Sequence, residues 1–460
     1  MEAIMHWNGI INGIVWGPWM LTLLVGTGIW FTFILGFPQL RYFGVMLKEV
    51  FGKLLVKSEG EGNISSFAAV ATALAATVGT GNIAGVATAL HLGGPGALFW
   101  MLFSAFFGMT TKFCEVSLAV HFREKDETGA WRGGTMYILE KGCGMKWLAV
   151  VFALFTLLAS FGIGNMVQAN STAEAVSMAF NVPHIYTAIV MAVLVGLVII
   201  GGLKRIATIT VYLVPFMAIV YIAGAIVVVC KNSAMIGPSF AAAVKGAFSD
   251  PMALPGAIVG WTVKEAIKRG IARGVFSNEA GLGSAPMVHA AAQVDHPVRQ
   301  GLYGIFEVFM DTIIICTLTS LVIMTTGVLT SEAGVNLTGA QLTLAGFDAA
   351  LGVGWGTTIL SAGLAMIALS TNLGWSYYGE TALTYLFPVG AIPVYKILWV
   401  AGVVLGGWGG AQWLTSLWDL ADTLNGLMAI PNLIGLLLMT KVMKDLVKDF
   451  DAKRKSGELK

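Results

Sequence analysis

Charge is the scarcest property of this chain. Only 11 % of its 460 residues are Asp, Glu, Lys or Arg, well under the roughly 25 % of soluble domains. The shortage argues against a soluble globular enzyme. The net charge of +2 and the single short basic run, the tail DAKRKSGELK, give no footing for nucleic acid. Cysteine is equally sparse: Cys114, Cys143, Cys230 and Cys316 form no CxxC pair, so neither a zinc site nor a redox pair is read. The six histidines are scattered, which argues against a metal cluster. There is no GxxxxGK[ST] loop, so a nucleotide-driven pump is disfavoured, and GTGNIAG is not a GxGxxG fingerprint. No His stands near Ser, Cys or acid at catalytic spacing, which disfavours a membrane enzyme. The N-terminus MEAIMHWNGIINGIVW has no basic leader and no cleavage site, so it reads as a retained span.

Long apolar runs are what the sequence has instead, with 57 % hydrophobic residues and 57 glycines. A membrane barrel would show ~10-residue alternating segments. Runs near 20 residues recur here, so the expected fold is an all-α polytopic membrane protein with about 11 transmembrane helices. The runs lie near 12–37, 64–90, 95–120, 147–178, 183–203, 207–230, 255–293, 298–328, 355–386, 391–408 and 413–445. The last contains Pro431 and is one kinked helix or two shorter ones. After the first run, Phe43, Met46, Leu47, Val50, Phe51, Leu54 and Leu55 share a helical face, with Arg41, Lys48, Lys53 and Lys57 largely opposite. That is the pattern of a helix lying on an anionic membrane surface. Lys and Arg gather at 41–57, 123–146, 204–205, 299, 396 and the tail, all on one side in this count. Positive charge marks the cytoplasmic side. The expectation is a multi-pass protein of the plasma membrane, N-terminus outside and C-terminus cytoplasmic. KEAIKRGIARG (264–274) resists this pattern, because Lys264, Lys268, Arg269 and Arg273 start in the outer half of a span. Such charges need protein partners or a water-filled vestibule.

Two of the runs are interrupted. In AATVGTGNIAGVATAL (75–90), Gly79, Gly81 and Asn82 sit where a helix should continue. In FSNEAGLGSAP (276–286), Ser277, Asn278 and Glu279 are polar at depth, and Gly281 and Gly283 weaken the helix. Ser284 can cap a restart with Pro286 in its first turn. Five spans separate the starts of the two broken helices. Because five is odd, the second unit enters from the opposite side. The reading is an inverted five-helix repeat, 64–230 and 231–445, after an extra N-terminal helix and interfacial helix in 1–63 and before a basic tail at 446–460. Paired interruptions at corresponding places mark the binding site of a secondary transporter. A helix that restarts offers N–H groups to a carboxylate, and one that stops offers carbonyls to a cation. A zwitterionic amino acid matches that layout. A channel is the competing class, since broken helices also line selectivity filters.

GTGNIAGVATA and VFSNEAGLGSAP resemble the signature segments of the alanine or glycine:cation symporter family. The resemblance extends over nearly the whole chain, including the leading span and RGIARG. It implies a leucine-transporter-like architecture and symport of alanine or glycine. Sodium, less often a proton, would be the coupling ion, and no cofactor is implied. It further implies that the Thr80 and Gly81 amides hold the substrate carboxylate, beside Gly79, while the Thr77 carbonyl faces the ammonium. The carbonyls of Ala75 and Val78 and the hydroxyls of Ser370 and Thr371 would hold sodium. Asn82 is left with three roles: a second sodium, the substrate, or the kink alone. Gln168 reaches the substrate or bonds a neighbouring helix. Phe276 closes over the ligand or simply packs, and Ser277 and Asn278 stand as pocket contacts. Gly79, Gly281 and Gly283 would keep the pocket small. Glu279 ligates a cation, balances Arg273, or receives backbone N–H bonds that hold the break open, the last being the expectation.

Overall fold

Backbone polar groups in hydrocarbon must be satisfied within the segment itself, so apolar runs of this length close into helices. The computed structural model describes residues 2–52, 60–249, 261–332, 334–352, 354–409 and 411–459. In chain order the main helices are α1 (Glu2–Val15), α2 (Pro18–Ile34), α3 (Phe43–Gly52), α4 (Ser66–Thr77), α5 (Val86–Gly93), α6 (Gly96–His121), α7 (Lys146–Ala159), α8 (Val167–Phe180), α9 (His184–Ile199) and α10 (Gly202–Lys231). They continue as α11 (Ile236–Phe248), α12 (Val263–Asn278), α13 (Pro286–His289), α14 (Pro297–Val308), α15 (Thr317–Thr325), α16 (Gly339–Leu351), α17 (Trp355–Leu386), α18 (Ile392–Trp408), α19 (Ala411–Leu438) and α20 (Thr440–Ser456). Among the described residues eight spans are long and apolar enough to cross a membrane, and the bent pair α4–α5 makes a ninth. Of the eleven expected, α9 is apolar but short. The seventh begins within residues 250–260, outside the described residues.

The leading span starts earlier than its apolar run suggests, at Glu2, and breaks at Gly17 before Pro18. α19 continues through Pro431 as one helix and hands over to α20 at Met439. α3 lies where the membrane-surface helix is expected. Part of its apolar face packs on the protein: Met46 and Val50 are fully buried and the Glu49 carbonyl accepts from Tyr303, while Phe51, edge-on to Phe306, is 56 % exposed. Lys53, Leu54, Leu55 and Lys57 lie outside the described residues.

Two strand pairs sit at one end of the bundle. β1 (Ile64–Ser65) precedes α4, β2 (Glu124–Lys125) and β3 (Trp131–Arg132) form a hairpin, and β4 (Ala292–Gln293) follows α13. β1 and β4 pair in parallel, Ile64 with Ala292. The start of the first broken helix and the end of the second are thus tied at the same end. The two broken helices therefore traverse the bundle in opposite directions, as an inverted pair requires. Arg123 reinforces the tie, donating to the carbonyls of Ala290, Ala292 and Glu61.

Candidate functional site

The site begins where α4 stops. Its last residue is Thr77; Val78 takes an extended conformation, and the chain restarts at Thr80 through a wide π-turn, Gly81–Gly85, that leads into α5. The axis turns by 52°. Asn82 braces the break from both sides. Its Oδ1 accepts from the Gly79 N–H at 2.8 Å, and its Nδ2 donates to Asp311 Oδ1 at 2.6 Å.

The four oxygens expected to hold a cation come together. Ser370 Oγ lies 3.3 Å from the Ala75 carbonyl, and Thr371 Oγ1 lies 3.4 Å from the Val78 carbonyl. Both hydroxyls also reach the Ile367 carbonyl within their own helix, at 2.7 and 3.0 Å. The cross-helix separations are long for O–H···O bonds, whose usual distance is about 2.7–2.8 Å. They match ligand spacing instead: two oxygens about 2.4 Å from a small hard cation and at right angles stand about 3.4 Å apart. Carbonyls at the C-terminal end of α4 also carry the negative pole of that helix. A Cβ on Gly79 would lie 3.0 Å from Thr371 Oγ1, so the close approach of α4 to α17 depends on glycine there.

Beside this cluster is a cavity of about 20 Å³, lined by Ala76, Thr77, Gly79, Thr80, Gly81, Ile163, Gln168, Phe276, Glu279, Thr371, Trp375 and Asn425. That is room for about one water molecule, so the walls are drawn close around the break. Thr371 belongs to both the cavity and the four-oxygen cluster, so the two sites share a wall. Phe276 is half-buried and reaches over the break; a Cβ on Gly81 would meet its ring at 3.3 Å. Gln168 Nε2 bonds the Ile163 carbonyl at 3.0 Å and approaches Thr80 Oγ1 at 3.5 Å. On the far side of Phe276 a polar chamber is lined by Asn12, Lys268, Arg269, Arg273 and Asp422, among others. The Arg273 guanidinium lies 4.8 Å above the Phe276 ring. This chamber is the polar surrounding that the basic run 264–274 requires.

Other expected residues lie elsewhere. Ser277 and Asn278 turn away from the cavity: Ser277 Oγ is 3.4 Å from Cys316 Sγ, and Asn278 Nδ2 donates to Thr312 at 3.0 Å. Asn82 likewise faces Asp311 rather than the cavity. Gly281 and Gly283 have positive φ, 96° and 79°, and pack against Leu24, Leu433, Thr135 and Asn432 instead of walling the pocket. Ser284 does not cap the restart, because its hydroxyl bonds Glu279. Glu279, itself left-handed at φ 56°, thus bonds a side chain across the break rather than collecting backbone N–H groups. That duty falls to Glu115, whose Oε1 accepts from the Gly281 N–H at 3.0 Å and from Asn432 Nδ2 at 2.5 Å. Asn432 also donates to the Gly281 carbonyl at 3.0 Å. Lys112 pairs with Glu307 at 3.3 Å, and Arg269 with Glu265 at 2.9 Å.

Sequence reasoning missed Trp375, Ile163 and Asn425. Trp375 follows Thr371 by one helical turn, so spacing alone would have placed it on the same face. Asn425 was visible as a polar residue inside the apolar run 413–445. Wide π-turns at Ser160–Met166 and Phe309–Cys316 also flank the site, and such turns cluster at functional positions.

The chain is similar to known transport proteins. The sequence pattern described as the sodium:alanine symporter family matches residues 1–460. The sodium/alanine symporter AgcS of Methanococcus maripaludis is 49 % identical over 450 residues, covering 97 % of each chain. The amino-acid carrier protein AlsT of Bacillus subtilis is 39 % identical over 455 residues, covering 98 % of this chain and 93 % of that one. A manganese transporter of Eremococcus coleocola shares the fold, with TM-score 0.53 at 12 % identity over 85 % of this chain and 88 % of that one.

Proposed function

The chain belongs to the sodium:alanine symporter family, and from that premise we propose that it carries alanine or glycine into the cell together with sodium, by alternating access. The observation that carries this reading is the shared wall: the four oxygens of Ala75, Val78, Ser370 and Thr371 adjoin a small cavity through Thr371. A sodium ion there bonds α4 to α17 and fixes the unwound stretch. The same stretch presents the N–H groups of Thr80 and Gly81 to a carboxylate. Filling one site therefore preorganises the other, which is coupling in its thermodynamic sense.

Substrate size follows from the walls. Trp375, Ile163 and Phe276 close the apolar side, and one surplus methylene in such a pocket costs about 1–3 kcal/mol. Small neutral amino acids fit best. Phe276 separates the cavity from the polar chamber and acts as the gate on that face, which is the outer one if the basic loops at the opposite end are cytoplasmic. The opposite end is held shut by the β1–β4 pair and Arg123. Binding of labelled alanine to the purified protein at stepped sodium concentrations tests the reading. Affinity for alanine should rise with sodium, and sodium affinity should rise with alanine by the same factor. Alanine binding indifferent to sodium contradicts it.

A further inference from the structure

Far from the broken helices, the outer surface of the bundle carries a groove with a charged mouth. It lies between α9 and α18, holds about 780 Å³, and is lined from Ile189 to Ile200 on one side and from Ile392 to Val404 on the other. Gly196 faces Val400 and Ala188 faces Gly407, so the two helices run antiparallel, and Ile200 and Ile392 mark the same end. Lys396 is the one charged residue among the described lining residues, and it stands at that end. Arg205 arrives there too, because its side chain folds back over Gly201, next to Ile200. Lys204 and Arg205 are both exposed, and neither has an ion-pair partner among the described residues. Lys396 shares Glu380 with Arg132, at 3.6 and 3.2 Å, so its ammonium has donors to spare.

Length and charge decide what fills the groove. From Ile189 to Ile200 the helix advances about 17 Å at roughly 1.5 Å per residue. That is close to half of the ~30 Å hydrocarbon core of a bilayer. A transmembrane helix from another chain would need a groove of the full thickness, whereas an acyl chain of one leaflet needs half. The walls are apolar, and cations stand where the phosphate of such a lipid sits. A second apolar groove, about 390 Å³ beside α8, α9 and α17, has no charged residue in its described lining and so lacks a place for a headgroup.

We propose that the α9–α18 groove is a binding site for an anionic glycerophospholipid, with one acyl chain between the two helices and the headgroup phosphate held by Lys396, Lys204 and Arg205. The lipid fastens α9 to α18 on the side of the β2–β3 hairpin, whose Arg132 meets Lys396 at Glu380. The site is independent of which solute is carried.

Purified full-length protein, stripped of lipid in detergent, provides the test. Phosphatidylglycerol and phosphatidylcholine with identical acyl chains are titrated in, with bound lipid counted by native mass spectrometry and thermal unfolding read alongside. Glycerol phosphate reports the headgroup without a tail. Phosphatidylglycerol should occupy one site and raise the melting temperature, phosphatidylcholine should bind about tenfold more weakly or worse, and glycerol phosphate should not compete. A basic residue beside anionic lipid contributes about fivefold in affinity, so Lys204→Gln combined with Arg205→Gln should weaken phosphatidylglycerol about tenfold or more. Gly196→Leu puts a side chain into the groove and should weaken it with every cation intact, which keeps the test decisive if either protein fails to fold. Equal affinity for the two lipids overturns the proposal, as does phosphatidylglycerol binding within threefold of wild type in either folded variant. Glycerol phosphate binding as tightly as the lipid, or a dimer of this chain that Gly196→Leu dissociates, assigns the groove to another occupant and overturns it as well.

Discussion

Gly81 stands where a side chain has no room. Its missing Cβ would touch the Phe276 ring at 3.3 Å, and its N–H opens the restarted helix. Gly81→Val should push the ring aside and block a carboxylate. Alanine affinity should fall at least tenfold, with a stability loss held to the ~1–3 kcal/mol of ordinary overpacking. Equilibrium binding beside thermal unfolding reads both, and unchanged affinity would place the carboxylate elsewhere. Thr371 is the complementary case, lining the cavity and facing the Val78 carbonyl. Thr371→Val keeps the shape and deletes the oxygen. The sodium concentration needed for half-maximal transport should rise about tenfold, since a bond to a charged group contributes about 1.5–3 kcal/mol. A sodium dependence identical to wild type would remove this hydroxyl from the cation site.

The two interrupted helices were legible because their glycines and polar residues break a run that otherwise reads as helix. The four-oxygen cluster came from resemblance and not from spacing, since nothing in the sequence tells where α17 crosses α4. What holds the second break was hidden for the same reason: Glu115 on α6 and Asn432 on α19 are far apart in sequence and meet only at Gly281. Nor does FGIGN reveal a π-turn, which depends on what packs around it. Asn432→Leu should therefore destabilise the fold by about 1–3 kcal/mol, by stranding a buried carboxylate and a backbone carbonyl; a melting temperature equal to wild type would show the break stands alone. The hairpin outside the membrane gives a pH test. Burial pushes the Asp126 carboxyl up, but bonds from Thr128 and Arg132 outweigh it and hold the group below the usual aspartate range. Its stabilising effect is complete above the unfolded value, about 4, and fades as pH falls through the lowered folded value. The melting difference between wild type and Asp126→Asn should be constant near neutrality and shrink in acid below about pH 4. A difference independent of pH would mean that the Asp126 charge does not stabilise the hairpin.

For the molecule as a whole, the folded chain gathers charges that the sequence showed only as separate clusters. Arg41 pairs with Asp451 at 3.2 Å, Arg132 and Lys396 meet at Glu380 at 3.2 and 3.6 Å, and His296 lies 3.1 Å from Asp449. These pairs link the region after the leading helix, the β2–β3 hairpin, the end of α17 and the tail. We propose, from the positive charge of its loops, that this face is cytoplasmic. On that proposal Cys230, exposed near the end of α10, lies outside. A membrane-impermeant maleimide on intact cells should label it, and labelling only after the membrane is opened would reverse the orientation.

The central claim is coupling of alanine movement to sodium through the α4–α17 oxygens. Purified protein in sealed liposomes, loaded without sodium and given labelled alanine, tests it directly. An inward sodium gradient should drive alanine above equilibrium, and Ser370→Ala combined with Thr371→Val should abolish that accumulation. Accumulation that ignores sodium and follows an imposed pH gradient would contradict the account.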